Sequence, residues 1–106
     1  MILVHQRYFA KPGLLEQVIQ TRVEASRRLI ELGVPAGHIW LSARSEAGGS
    51  GVLPDLVWEC TSPSLEERER MRRLQESDPT FHAIRTRQGT QLVQWVREHY
   101  RRLEWR

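Results

Sequence analysis

The sequence is poor in the residue types that form disulfides, metal centres and membrane spans. Cys60 is the only cysteine among 106 residues, so an internal disulfide is impossible and a cysteine-based metal site is not expected. The 4 histidines are widely separated, without an HxH or HxxxH pair, and we therefore predict no metal site. No apolar run approaches the roughly 20 residues of a transmembrane helix. The first residues, MILVHQRYF, are too short and too polar for a signal peptide, and from these absences we expect a cytoplasmic protein.

Motifs for phosphate loops and for common hydrolytic chemistry are also absent. The glycine-rich segment Gly48–Gly51 lacks the lysine and the helix that complete a phosphate-binding loop, so it indicates a hairpin loop. Residue spacing assembles no serine-based triad and no pair of catalytic carboxylates. The net charge is +3, and the arginines near the C-terminus are interleaved with Glu98 and Glu104. Such mixed charge is typical of a solvated face, so we expect no nucleic-acid binding.

The residues that are present predict a single domain over residues 1–106. The hydrophobic content of 40% and charged content of 27% are ordinary for a globular domain, and the chain is long enough to bury a core. Leu14–Leu32 carries apolar residues at helical spacing and is followed by Gly33, a residue type that often ends helices. Strands are predicted at Ile2–Phe9, at His38–Ser45 and within Val52–Thr61, with a flexible loop over Ala47–Gly51.

A charged segment, Ser64–Arg87, predicts two helices separated by a break. Ser64 and Glu67 have the spacing of a capping box, in which the serine oxygen accepts a free N–H and the glutamate reaches back. Asp78 is placed to cap the second helix, and Pro79 suits its first position, where no N–H is needed. Ion pairs at four-residue spacing are expected to add ~0.2–0.5 kcal/mol each, and they are Glu66–Arg70 and Glu69–Arg73.

The last segment of the chain fits two kinds of element. A helical spacing relates Leu92 to Val96 and Tyr100. A strand would instead place Val93 and Trp95 on one face. Periodicity by itself leaves both possibilities open.

With a final strand, the elements follow the order strand, helix, strand, strand, helix, strand. This is the ferredoxin-like split βαβ arrangement of the α+β class, with both helices on one face of an antiparallel sheet. We expect Trp40, Trp58 and Trp95 to give the other face too much apolar surface to stay open to water. The sequence therefore predicts a homodimer in which two sheets pack face to face.

A set of short motifs, spread over most of the chain, has a counterpart in a known family. Its members here are Tyr8, the Lys11-Pro12-Gly13 turn, Trp58, Leu65, the run Glu67–Arg70, Leu74, the Asp78-Pro79 break and Phe81. The pattern resembles the NIPSNAP-like family of the dimeric α+β barrel superfamily. This resemblance implies a dimeric α+β barrel and a final strand near Trp95–Glu104. The wider superfamily includes cofactor-independent oxygenases of aromatic substrates and haem-degrading enzymes, so the resemblance implies architecture more than activity.

The candidate site residues are those that a pocket between sheet and helices would bring together. His5 and His82 are the catalytic candidates, because histidine transfers protons near neutral pH. Tyr8, Trp58 and Arg44 are the ligand-binding candidates, with Tyr8 and Arg44 at the pocket mouth. For each residue the alternative is core packing or surface pairing.

Three functions are compatible with this pattern. The first is binding or oxidation of a small apolar or aromatic molecule in a pocket lined by Tyr8, His5, Trp58 and His82. The alternatives are a non-catalytic homodimeric interaction protein and a haem-binding protein, and the sequence identifies no cofactor. A cavity of ~300 Å³ or more with polar side chains pointing in would favour the first, whereas a fully packed core would favour the interaction protein.

Overall fold

The computed structural model describes residues 1–49 and 51–106, which form four strands and three helices. The predicted loop over Ala47–Gly51 includes Ser50, which lies outside the described residues. In chain order the elements are β1 (Ile2–Ala10), α1 (Leu15–Glu31), β2 (His38–Leu41), β3 (Leu56–Ser62), α2 (Leu65–Glu76), α3 (Pro79–Thr90) and β4 (Leu92–Arg101).

The strands form one antiparallel sheet in the order β2-β3-β1-β4. In its centre, Gln6 of β1 lies opposite Trp58 of β3 on one side and opposite Arg97 of β4 on the other. This order is that of the ferredoxin-like split βαβ fold, so the predicted fold class is confirmed. None of the described helices is both long enough and apolar enough to cross a membrane.

Two strands have limits that differ from the prediction by more than one residue. The final segment is a strand, as the resemblance implied, but it begins at Leu92 rather than near Trp95 and ends at Arg101 rather than Glu104. It has these limits because it pairs along the whole length of β1. β2 stops at Leu41, earlier than predicted, because its partner strand β3 begins opposite that residue.

Ser64 and Asp78 cap α2 and α3 as predicted, but Glu67 bonds Arg70 instead of reaching back to Ser64, and the described surface ion pairs differ from those predicted. Ser64 Oγ accepts the N–H of Glu67 at 3.1 Å, and Asp78 Oδ2 accepts the N–H of Phe81 at 2.8 Å. Exposed pairs at three- and four-residue spacing differ little in energy, so spacing does not choose among them. In place of Glu66–Arg70 and Glu69–Arg73, the described pairs on α2 are Glu67–Arg70, Glu69–Arg72 and Arg72–Glu76.

The core lies between the sheet and the three helices. Alternate residues of β1 and β3 face the helices, with Val4 and Leu56 completely buried. They pack against Val18 and Leu29 of α1 and against Phe81 of α3. The helices therefore cover one face of the sheet and leave the other to its own side chains.

The tryptophans predicted to share the outer face of the sheet are divided between its two faces. Trp58 lies opposite Gln6 and is 2% exposed beneath the helices. Trp95 lies opposite Tyr8 on the same face, and Trp40 alone of the three is on the outer face. Strand alternation shows which residues of one strand share a face, but only the pairing register shows which face of the sheet they reach. For this reason the prediction was wrong for Trp58 and Trp95.

An ion pair joins α1 to the start of α3. The Arg28 guanidinium donates to both carboxylate oxygens of Asp78, at 2.9 Å from Nε and 2.7 Å from Nη2. These bonds lower the pKa of Asp78 from 3.8 to about 2, with partial burial opposing the shift and the Phe81 N–H assisting it. The pair therefore fixes the angle at which α3 lies across the sheet.

Gly37, in the loop before β2, sets how closely the chain passes Trp58. Its φ is +73°, and a Cβ there would lie 2.5 Å from Trp58 Nε1 and 2.6 Å from the carbonyl oxygen of Glu59. Gly33 has the same φ of +73°, but a Cβ there would meet nothing within 4 Å. The two glycines therefore share a backbone conformation and differ in packing.

We expect Gly37→Ala to destabilise the protein by clearly more than Gly33→Ala. Both variants place a side chain in the left-handed conformation, at about 1–2 kcal/mol, but only Gly37→Ala adds a collision with Trp58. Unfolding free energies in urea measure the difference. Equal losses in the two variants would contradict close packing of Gly37 on the indole.

We expect Asp78→Asn to flatten the loss of stability at acidic pH. The folded pKa of Asp78 lies below its unfolded value, so its contribution is complete above pH ~4 and disappears as the pH falls towards 2. Melting temperatures between pH ~5 and ~2 measure the slope. Glu46→Gln, in the exposed Arg44–Glu46 pair, is the control and should keep the wild-type slope; an unchanged slope in Asp78→Asn would refute the assignment.

Candidate functional site

A cavity of about 90 Å³ lies between the sheet and the three helices. Its floor is the central row of the sheet, formed by Gln6, Trp58 and Arg97, with Tyr8 and Trp95 in the next row. Side chains from the helices close it from above, and these include Arg22, Ala25 and Leu29 of α1, Arg68 and Gln75 of α2, and Phe81, Ile84 and Gln88 of α3.

Three arginines reach this cavity from three different elements. Arg22 of α1 and Arg68 of α2 are each 4% exposed, and Arg97 of β4 is half-buried. The described residues that line the cavity include no Asp or Glu. Within the described chain, none of these arginines has a carboxylate at ion-pair distance, whereas a fourth lining arginine, Arg85, has Glu76 at 3.8 Å.

Trp58 supports two of these guanidinium groups. The Cζ atoms of Arg22 and Arg68 lie 4.9 and 6.0 Å from the centre of its ring, within the range of cation–π attraction. The indole N–H donates to the carbonyl oxygen of Ala36 at 2.8 Å, and this bond fixes the ring. The tryptophan thus holds two cations in place without neutralising either charge.

The hydrogen bonding of the three arginines is incomplete. Arg22 donates to the Tyr8 hydroxyl and to Ser26 Oγ, both at 3.2 Å. The Nε atoms of Arg22, Arg68 and Arg97 are buried, and the described residues offer them no acceptor. A buried donor without a partner costs about 1–3 kcal/mol, and more when it is charged.

Burial lowers the pKa of two of these guanidinium groups. Burial is the largest cause of the lowered pKa of Arg68. For Arg97, burial together with nearby Arg85 and Arg68 lowers the pKa to about 10. Both groups remain charged near neutral pH. Positive charges therefore meet in the cavity without a carboxylate among its described lining residues.

The structure brings two of the five predicted site residues into this cavity. Tyr8 and Trp58 line it. His5 lies on the outer face of the sheet with Nε2 3.2 Å from Glu59, and His82 is exposed on α3. The prediction that His5 and His82 line the pocket is wrong. Alternate residues of β1 point to opposite faces, and His5 is among those that point outward. On α3 a helical step of ~100° turns His82 away from buried Phe81.

Arg44 and the metal-ligand types lie apart from the cavity. Arg44 is 86% exposed in the loop after β2 and pairs with Glu46 at 3.0 Å, so it does not reach the mouth as predicted. Among the residues that the structure describes, no three His, Cys, Asp or Glu side chains are grouped as metal binding requires.

Sequence analysis missed the three arginines, although two of them carried a signal. Arg22 follows Val18 by four residues and precedes Ala25 by three, so it has the spacing of the buried stripe of α1. Arg68 stands three residues from both Leu65 and Met71 on α2. A basic residue within an apolar helical stripe is the pattern that indicates a buried cation. Arg97 gave no such signal, since its burial depends on the pairing of β4.

We expect Arg68→Met to make the unliganded protein more stable, by about 1–4 kcal/mol, since methionine fills similar space without a desolvated charge. Urea unfolding in a buffer of low anion content measures the effect. Arg72→Met is the control on the same helix; Arg72 is part-exposed and paired with Glu76, so a change below ~1 kcal/mol is expected. A less stable Arg68→Met protein would mean that the fold itself satisfies Arg68.

Comparison with known proteins identifies the fold. No protein-family model matches the chain, and no curated protein matches it in sequence. An uncharacterized NIPSNAP domain protein from Burkholderia xenovorans superposes with a TM-score of 0.72 at 17% identity, over 97% of this chain and 95% of that one. A NIPSNAP family protein from Agrobacterium tumefaciens gives 0.72 at 13% identity, over 99% and 88%.

A third solved structure has the same architecture. A dimeric ferredoxin-like protein of unknown function from Thermobifida fusca gives a TM-score of 0.63 at 11% identity, over 93% of this chain and 88% of that one. At these identities the likeness is one of fold. The chain has a NIPSNAP-like ferredoxin fold, and the resemblance seen in the sequence is confirmed at that level.

Proposed function

We propose that this protein, with its NIPSNAP-like fold, binds a small molecule whose negatively charged group enters the cavity among Arg22, Arg68 and Arg97. The observation that carries the proposal is that these guanidinium groups line one cavity whose described lining includes no carboxylate. Unpaired buried cations destabilise a fold unless something compensates them. An anion in the cavity would supply the counter-charge that these guanidinium groups lack.

Tyr8 and Trp58 keep their ligand-binding roles in this proposal. Tyr8 accepts a hydrogen bond from Arg22 and still has its own O–H to donate to an anion. Trp58 orients Arg22 and Arg68 through its ring. Both residues therefore act by presenting donors to the ligand.

The size of the cavity limits what enters it. At about 90 Å³ it is smaller than the ~150 Å³ that accepts a benzene ring and than the ~300 Å³ expected of a pocket for a whole drug-sized ligand. It suits a charged group of a few atoms, with the remainder of the molecule outside, beside half-exposed Trp95. A wholly apolar ligand would leave the arginines uncompensated and haem would not fit, so we propose neither.

The test is stabilisation by anions at constant ionic strength. Melting temperature should rise with phosphate, sulfate or acetate relative to chloride, because a ligand at 100 times its Kd adds about 2.7 kcal/mol. Arg68→Met should lose most of this rise, and Arg72→Met should keep it. If none of the anions raises the melting temperature, or if Arg68→Met responds like the wild type, the proposed function is wrong.

We also propose that two copies associate through the outer faces of their sheets. That face has no covering element among the described residues. It carries Leu3, Val57 and Val96 with Trp40 and Tyr100, which are 56% and 45% exposed, around the pairs His5–Glu59 and Arg7–Glu98. Apolar sheet surface of this kind normally packs against a second layer. The Thermobifida fusca protein of similar fold is dimeric, and this supports association of this chain into a dimer.

Sedimentation at micromolar concentration tests the dimer. We expect a dimer for the wild type and a monomer for Val57→Lys, which places a charge in the middle of the outer face. Leu74→Lys adds the same charge at an exposed position of α2 and should leave the dimer intact. A monomeric wild-type protein at that concentration would refute the association.

A further inference from the structure

We infer that the anionic group is a doubly charged tetrahedral oxyanion, the phosphoryl group of a phosphate monoester or free phosphate, rather than a carboxylate. The inference rests on the proposed function and specifies its ligand. It follows from three properties of the cavity, which are its charge, the origin of its donors and its volume.

The charge of the cavity exceeds what a carboxylate neutralises. Arg22, Arg68 and Arg97 contribute three positive charges without a carboxylate among the described lining residues, and a fourth lining arginine, Arg85, lies 3.8 Å from Glu76. A monoanion would leave two of these cations uncompensated. A phosphate monoester carries −1.5 to −2 near pH 7, so it leaves about one, which the rest of the ligand and solvent at the mouth can screen.

The donors come from three different elements. Arg22 comes from α1, Arg68 from α2 and Arg97 from β4. A carboxylate presents two oxygens in a plane and pairs best with one guanidinium fork. A phosphoryl group presents three terminal oxygens, one for each arginine, and its ester oxygen is free to point to the mouth.

The volume agrees with this choice. The cavity of about 90 Å³ is smaller than the ~150 Å³ that accepts a benzene ring, and a tetrahedral oxyanion of five heavy atoms is smaller than that ring. A dicarboxylate would bring equal charge on two separated groups, which a cavity of this size does not take up together. The ester substituent would then lie outside, where Trp95 is 48% exposed.

Calorimetric titration at about pH 8 and constant ionic strength tests the inference, with inorganic phosphate, sulfate, phenyl phosphate, acetate and malonate as probes. Phosphate and sulfate should bind about 10-fold or more tightly than acetate and malonate, because each added charge-assisted bond contributes at that level. Tighter binding of phenyl phosphate than of inorganic phosphate would identify a monoester as the ligand; the reverse order would identify the free ion. Either order supports the inference.

Arg97→Gln provides the matched variant. Removing the third arginine should weaken phosphate about 10-fold or more and acetate by less than ~3-fold, because a carboxylate pairs best with a single guanidinium fork. Arg97→Lys keeps the charge and is the control for a folding defect. Its affinity for phosphate should lie between those of Arg97→Gln and the wild type. Arg102→Gln, an exposed position, should bind every probe as the wild type does.

The failures of the two proposals are distinguishable. If acetate or malonate binds as tightly as phosphate, the tetrahedral dianion is overturned and the anion-binding function stands. If Arg97→Gln weakens acetate as much as phosphate, the three-arginine geometry is overturned. If no probe binds to the wild type, both proposals are wrong.

Discussion

Arg22 and Arg68 lie against the ring of Trp58, in the layer where the sheet meets the helices. Several neighbouring features of the structure support this contact. An indole face accommodates a guanidinium plane well, so the two charges can be buried among apolar side chains. The ring itself is fixed by its bond to the Ala36 carbonyl, and Gly37 leaves room for it where a Cβ would not. The short segment before β2 therefore determines the position of both arginines.

The buried arginines lower the stability of the fold at the place where the proposed anion would bind. An apolar side chain at position 68 would complete the core, whereas the arginine leaves a buried Nε without an acceptor. Proteins keep such locally unfavourable features mainly where a ligand uses them. The proposed anion gives the features a common explanation: the cavity, the missing counter-charges, and the convergence of three elements on one row of the sheet.

The two faces of the sheet serve different purposes because adjacent strand residues point in opposite directions. Gln6 and Tyr8 face the cavity, whereas His5 and Arg7 face outward and pair with Glu59 and Glu98. Charge on the outer face is thus balanced by acidic partners, and charge on the inner face is not. A fold shared at 11–17% identity with NIPSNAP-domain and ferredoxin-like proteins does not determine such details, and function has to be argued from the site.

Local patterns in the sequence were enough to determine most of the elements, whereas the last segment fitted both a helix and a strand. The caps at Ser64 and Asp78 depend on neighbours a few residues away, and the structure has them as predicted. The order of the elements then limited the topology to the ferredoxin-like arrangement.

Tertiary structure decided which residues meet. Register placed Trp58 and Trp95 beneath the helices and His5 outside them, and it aligned Arg97 with Gln6 across the sheet. The burial of Arg22 and Arg68 depends on helices that pack over distant strands. The energetic cost of burying a cation depends on all the groups around it, including whether a carboxylate lies near. The sequence therefore identifies the arginines as charged residues, and only the packing of helices on the sheet brings them together as a site.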